Sequence, residues 1–206
     1  MLDAASYAAS WSIYDATGLR PEYLWPVLWS ESGLDPSIPN RAGAPYYGIS
    51  QASGSWLAAH GIGVADYLTW PASRQLLTVV LPMVRSNVAA YGPIRSGTRF
   101  YQSNFLPATM PRRALFAALT WKGSPEYGAN AGLDTTRKGV ILVADLATFV
   151  GRAARQPAVA DAIARSYAAR PSAGPATDPV LGSDYLDPLL LPAGAALALL
   201  GLGSGT

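Results

Sequence analysis

Apolar and polar positions alternate along this chain mostly with a helical period. Tyr7, Trp11 and Tyr14 recur at spacings of four and three, which predicts a helix over residues 3–17 with an aromatic stripe turned towards the core. Asp3 stands where an N-cap is expected and Gly18 where a helix stops. Pro21 opens a second helix, in which Leu24, Val27 and Leu28 share one face; Pro26 inside it predicts a kink, and Gly33 followed by Asp35-Pro36 predicts its end and a turn. Residues 37–50 are rich in Pro, Gly, Asn and Ser and read as loop with a short hairpin. A short helix is expected over 52–59. A long one is expected from Pro71 to about Ala90, where Leu77, Val80, Leu81, Val84 and Val88 form the stripe, Pro82 introduces a bend and Gly92 is the stop. Helices are also expected over 100–106, 112–121, 140–155 and 158–170. The class is mainly α.

One residue breaks the pattern. Glu31 follows Val27 by four positions and Leu28 by three, so it falls on the apolar face of the second helix, close to its end. Charged groups are rarely buried without a partner. A carboxyl at an apolar helix end is where burial raises a pKa and makes a general acid. Taken alone, a solvated helix terminus explains such a residue as well.

Composition narrows the chemistry. Half of the 206 residues are apolar and only 14% are charged, enough to build a core in one domain with appendages. The net charge of +2 comes without any Lys/Arg run, so no nucleic-acid specificity is expected, although a mild basic bias suits an anionic polymer such as a cell wall. The absence of cysteine excludes disulfides and thiolate metal sites, and the single histidine, His60, excludes a multi-histidine metal site and reads as a helix end. No metal and no cofactor are expected. Met1-Leu-Asp-Ala-Ala-Ser lacks the basic and apolar regions of a signal peptide, so delivery by another route is expected.

The composition shifts after Arg170. Residues 171–188 carry Pro171, Pro175, Pro179 and Pro188 among Ser, Gly and Asp, as a linker or extended arm does. Residues 189–202 are apolar and uncharged, yet shorter than the roughly 20 residues that span a bilayer. The 189–206 tail has two readings: it packs on its own domain or a partner subunit, or residues 189–202 contact a membrane.

The stretch Glu31-Ser-Gly-Leu-Asp-Pro, then Gly43-Ala, then Tyr47-Gly-Ile-Ser-Gln51 resembles the lytic transglycosylases of the soluble-lytic-transglycosylase type in the lysozyme superfamily. That family carries a Glu-Ser pair at a helix end, a Gly-Ala in the following loop and a Gly-apolar-apolar-Gln segment on the far wall of the cleft. Ser50 departs from it, standing where the family has Met or another apolar residue. Phe100-Tyr-Gln-Ser-Asn-Phe-Leu-Pro is similar to the Tyr-x-x-Asn-Phe-Leu-Pro stretch of phage-type members, which places Tyr101 and Asn104 beside the site. Residues 134–145 are similar to a calcium-loop-like segment of those enzymes: Asp134, Gly139, Ile141 and Asp145 fit, whereas Thr136 and Lys138 stand at ligand positions, so the turn is expected without calcium.

The resemblance, which covers about residues 5–150, implies a lysozyme-like domain of the goose-type lysozyme/transglycosylase kind over 1–170, with a deep cleft and a C-terminal arm. It implies Glu31 as the catalytic acid/base, with Ser32, Tyr47, Gln51, Tyr101 and Asn104 contacting substrate. Glycosidases ordinarily use two carboxylates; Asp35 lies in a turn and is expected to hydrogen-bond the loop. One glutamate suffices where the sugar's own C6 hydroxyl is the nucleophile, as in the resembled family, which acts on peptidoglycan glycan strands. The phage-type segments point to a virion-associated enzyme acting at the bacterial cell wall, with other virion proteins as partners of the tail. Two alternatives stand beside it: a hydrolysing muramidase, and a structural virion protein that keeps the fold with little activity.

Overall fold

The computed structural model describes residues 2–41 and 43–170; the linker and apolar tail expected over 171–206 lie outside them. The described residues are mainly helical. Helices α1 (Ala4–Thr17) and α2 (Pro21–Ser32) match the periodicity closely. Both stop at a glycine with left-handed φ, Gly18 at 75° and Gly33 at 70°, whose N–H groups return to Tyr14 O and Trp29 O.

Helix α2 is the hub. Helices α1, α7 (Gly97–Phe105), α9 (Val143–Ala154) and α10 (Pro157–Ala168) all pack on it. Leu24, Trp25, Val27 and Leu28 have no exposed surface, and burial of this kind contributes roughly 1.5–3 kcal/mol per large side chain. Trp25 Nε1 donates to Ser166 Oγ (2.8 Å) and Trp11 Nε1 to Ser166 O (2.6 Å), so two tryptophans dock α10 without an unsatisfied N–H. The aromatic stripe of α1 is core material: Tyr7 meets Trp25 edge-on and Trp11 meets Tyr167. A Cβ on Gly97 would lie 2.8 Å from Val150 Cγ1, so glycine at that position lets α7 approach α9.

The long helix expected from residue 71 forms as α5 (Ala72–Gln75), a π-helical stretch (Leu76–Val80) and α6 (Leu81–Tyr91). The Leu81 N–H reaches back five residues to Leu76 O. Pro82 has no N–H to donate and its ring crowds the preceding turn, and the π stretch ahead of it absorbs that misfit. It also rotates the buried face. Leu76, Val79, Val80 and Val84 are buried, whereas Leu77, read as part of the stripe, is exposed.

One helical expectation is overturned and another is shortened at its start. Residues 112–117 are irregular, and Ala118–Trp121 form strand β3, antiparallel to β4 (Val140–Leu142), so α9 starts only at Val143. Leu119, Thr120 and Ile141 are buried in this ribbon, and the cross-strand pairing outweighs the local pattern. Asp145 then accepts the Leu142 N–H (2.7 Å) and satisfies the first turn of α9. Closer to Glu31, a two-stranded hairpin pairs β1 (Tyr46–Tyr47) with β2 (Ala52–Ser53), followed by α3 (Gly54–Ala59), which His60 closes. Short helices α4 (Val64–Tyr67) and α8 (Pro125–Asn130) had no counterpart in the periodicity. No described helix is long and apolar enough to cross a membrane.

Candidate active site

Glu31 occupies the last turn of α2, and the chain reverses immediately behind it. Gly33 and then Leu34 (φ 65°) are both left-handed. A non-glycine residue in that region costs about 1 kcal/mol or more, which the burial of Leu34 in the core offsets. The reversal lays residues 38–41 across the end of the helix. Between them lies a cavity of about 340 Å³, walled by Trp29, Ser30, Glu31, Ser32 and Gly33 on one side and by Ile38, Pro39, Asn40, Arg41 and Gln51 on the other.

Among the described residues of that lining, Glu31 is the one acidic residue. The residue keeps some surface towards the cavity, while its carboxyl is surrounded by protein, and desolvation pushes its pKa up to about 8. Among the described residues none donates a hydrogen bond to the carboxyl, and none lowers its pKa by its charge. The opening towards the cavity limits the shift. At neutral pH the group is held largely as the acid.

The wall opposite Glu31 is braced by buried amides. Gln51, at φ 50°, accepts from Asn40 Nδ2 at Oε1 (3.0 Å), and its Nε2 donates to Gly48 O (3.1 Å) and Ile38 O (3.4 Å). A left-handed glutamine is a strained conformer of the kind found at functional sites. Gly48 is obligatory: its φ is 71°, and a Cβ would lie 2.5 Å from both Gln75 Oε1 and a Tyr67 ring carbon. Behind it Gln75, fully buried, accepts the Ile49 N–H (2.9 Å) and donates to Pro36 O (2.7 Å) and Tyr67 O (3.0 Å). Ser32 Oγ is shared between Leu28 O (3.1 Å) and Ile49 O (2.9 Å), so it ties α2 to the far wall. Ser50, at the position that departs from the resembled pattern, is buried with its hydroxyl beside that of Tyr67.

The other site residues read from the sequence fall outside the cavity lining. Tyr101, 7% exposed, lies between Phe105 and Phe149. Burial raises the pKa of its hydroxyl, and the nearby negative charge of Glu31 raises it further, so Tyr101 is a neutral neighbour of the acid. Asn104, one turn along α7, has a buried Oδ1 without a hydrogen-bond partner among the described residues. Tyr47 packs on a satellite cluster of Ala52, Leu57, Tyr67, Trp70 and Val79. Sequence reasoning missed Asn40, Arg41 and Gln75. Gln75 lies off the Leu77, Val80 and Val84 stripe read from the sequence, so helical periodicity did not mark it. Asp35 accepts from Ser37 N (2.9 Å) and Ser37 Oγ (2.7 Å), which hold its carboxyl below the usual range as a loop-turn acceptor.

In the 134–145 segment Asp134 accepts from Gly139 N (2.7 Å), Lys138 N (3.1 Å) and Tyr127 Oη (2.9 Å), and these bonds hold its pKa well below the usual carboxylate range against the opposing effect of burial. The Lys138 ammonium sits between Asp134 (3.2 Å) and Asp145 (2.8 Å), so a tethered cation bridges the two carboxylates. Among the described residues no group of three His, Asp or Glu side chains gathers as metal ligands.

The chain matches no known protein family, no curated protein and no solved structure.

Proposed function

We propose that the chain is a peptidoglycan lytic transglycosylase with a lysozyme-like fold, in which Glu31 alone serves as acid and base. The supporting observation is a desolvated carboxyl, held largely protonated at neutral pH, on the wall of a cavity with no second carboxylate among the described residues of its lining. The acid donates its proton to the glycosidic oxygen between N-acetylmuramic acid and N-acetylglucosamine. The bond breaks with the electron pair leaving on that oxygen, and the resulting glutamate takes the proton of the C6 hydroxyl as its oxygen closes the 1,6-anhydro ring. No water is consumed, and Glu31 ends protonated as it began. Asn40, held by Gln51, lines the cavity wall where the sugar's polar groups would sit, and Tyr101 contributes a neutral hydroxyl close to the acid. In this reading the protein is carried by a virion and opens the cell wall locally.

Digestion of purified peptidoglycan tests the reading. Anhydromuramic ends absent from the Glu31→Gln digest are the expected result. Free reducing muramic ends would instead make the protein a hydrolysing muramidase, and an intact wall under the wild type would refute catalysis.

A further inference from the structure

The segment that follows α7 is tightly held, yet it displays large apolar side chains to solvent. Gln102, fully buried, donates to Thr109 O (2.8 Å) and Arg112 O (3.1 Å), and the Arg99 guanidinium donates to the carbonyls of Met110 and Arg112. On the other side Ala144 N donates to Leu115 O (2.8 Å) and Val143 N to Ala117 O (3.1 Å), which fastens the segment to the start of α9. Between these anchors Leu115 is 50% and Phe116 84% exposed, and Trp121 at the end of β3 is 54% exposed. Arg112 reaches across to Trp121, its guanidinium carbon 5.8 Å from the ring. Arg113 and Lys122 add charge, and no acidic residue occurs from Leu106 to Pro125.

We propose that residues 111–122 form a contact site for an anionic lipid surface, with Leu115 and Phe116 entering the headgroup layer, Trp121 at the interface, and Arg112, Arg113 and Lys122 against the phosphates. Single exposed apolar residues need no explanation. Here a rigid backbone projects two adjacent ones beside arginines, the composition of interfacial membrane anchors. Three exposed apolar side chains offer little area for a stable protein interface, which buries roughly 800 Å² on each partner. A bilayer asks less area, because a few inserted side chains act together with headgroup attraction. The site is independent of the Glu31 chemistry.

Co-sedimentation of the full chain with vesicles tests it, using phosphatidylcholine alone and phosphatidylcholine mixed with phosphatidylglycerol. Binding to the anionic vesicles that weakens with salt is expected. Leu115→Ser/Phe116→Ser should weaken it about tenfold or more, and Arg113→Ser about fivefold. Both variants should melt with the wild type, because these side chains lie at the surface; should the double variant unfold, Arg113→Ser decides alone. Four outcomes would overturn the proposal: no sedimentation of the wild type, equal binding to neutral vesicles, variants that bind like the wild type, or Phe116-dependent self-association or cell-wall binding without a lipid effect.

Discussion

Replacing Glu31 by Gln should stabilise the protein, and by an amount that depends on pH. The folded carboxyl has a pKa of about 8 against an ordinary 4.5. Below pH 4.5 the group is protonated in both folded and unfolded chains and contributes no difference. As pH rises from 4.5 to 8 the unfolded chain releases a proton that the folded protein retains, so the stability present at low pH is progressively lost, and the loss levels off above 8. At about 1.4 kcal/mol per pH unit, the full gap corresponds to roughly 3 kcal/mol at pH 7. Glu31 keeps surface towards the cavity, which reduces this to about 2 kcal/mol. For a domain of this size that is a rise in Tm of about 4–8 °C at pH 7. The assay is a thermal melt of both proteins from pH 4 to pH 9. The curves should meet at the acid end and separate across the neutral range, while wall cleavage by the variant is lost. A Tm difference that is flat with pH, or a variant less stable at pH 7, would refute the account of a desolvated acid. A gain in stability at the cost of activity is what a group kept for chemistry should show.

Three further outcomes follow from the geometry. If Glu31 acts as the acid, kcat/KM on soluble glycan fragments should be level through neutrality and fall about tenfold per pH unit above a midpoint near 8. Gly48→Ala places a methyl 2.5 Å from Gln75 Oε1 and Tyr67 at a left-handed φ, and should lower stability by about 2–4 kcal/mol, visible in the urea midpoint. Lys138→Met removes the cation between Asp134 and Asp145 and should lower Tm at neutral pH. Because Asp134 is held well below its ordinary pKa, that deficit is present above about pH 4 and should shrink as a melt series moves to more acid conditions.

Where one helix carries its own apolar face, the sequence was sufficient. Leu24, Val27 and Leu28 marked the inner side of α2, and Gly18 and Gly33 marked two helix ends, because these signals are local. The 112–121 stretch was misread because its state is decided by partners twenty residues away: Thr120 and Trp121 pair with Ile141 and Val140. The Leu77 stripe failed for another reason. Pro82 was recognised as a disruption, but the response is a π stretch that rotates the helix and exposes Leu77. At the site, Glu31 was legible as a charge on an apolar face. The cavity behind it was not, because it depends on two consecutive left-handed residues, one of them Leu34, that no local rule assigns to leucine.

The polar residues around the acid share one trait. A carboxyl stays protonated only if nearby dipoles do not solvate its ionised form, so polar groups close to it must be engaged elsewhere. Gln51 spends its amide on Asn40 and Gly48, Ser32 spends its hydroxyl on Leu28 and Ile49, and Gln75 spends its amide on Ile49, Pro36 and Tyr67. These bonds keep the cavity wall polar, yet none of them reaches Glu31. The wall is thus braced and leaves the acid without a hydrogen-bond partner among the described residues; in the proposed reaction the substrate would supply the oxygen to be protonated. That division of labour, with amides bracing the wall and one unpartnered carboxyl facing the space, suits a reaction in which the acid must first give a proton and then take one back.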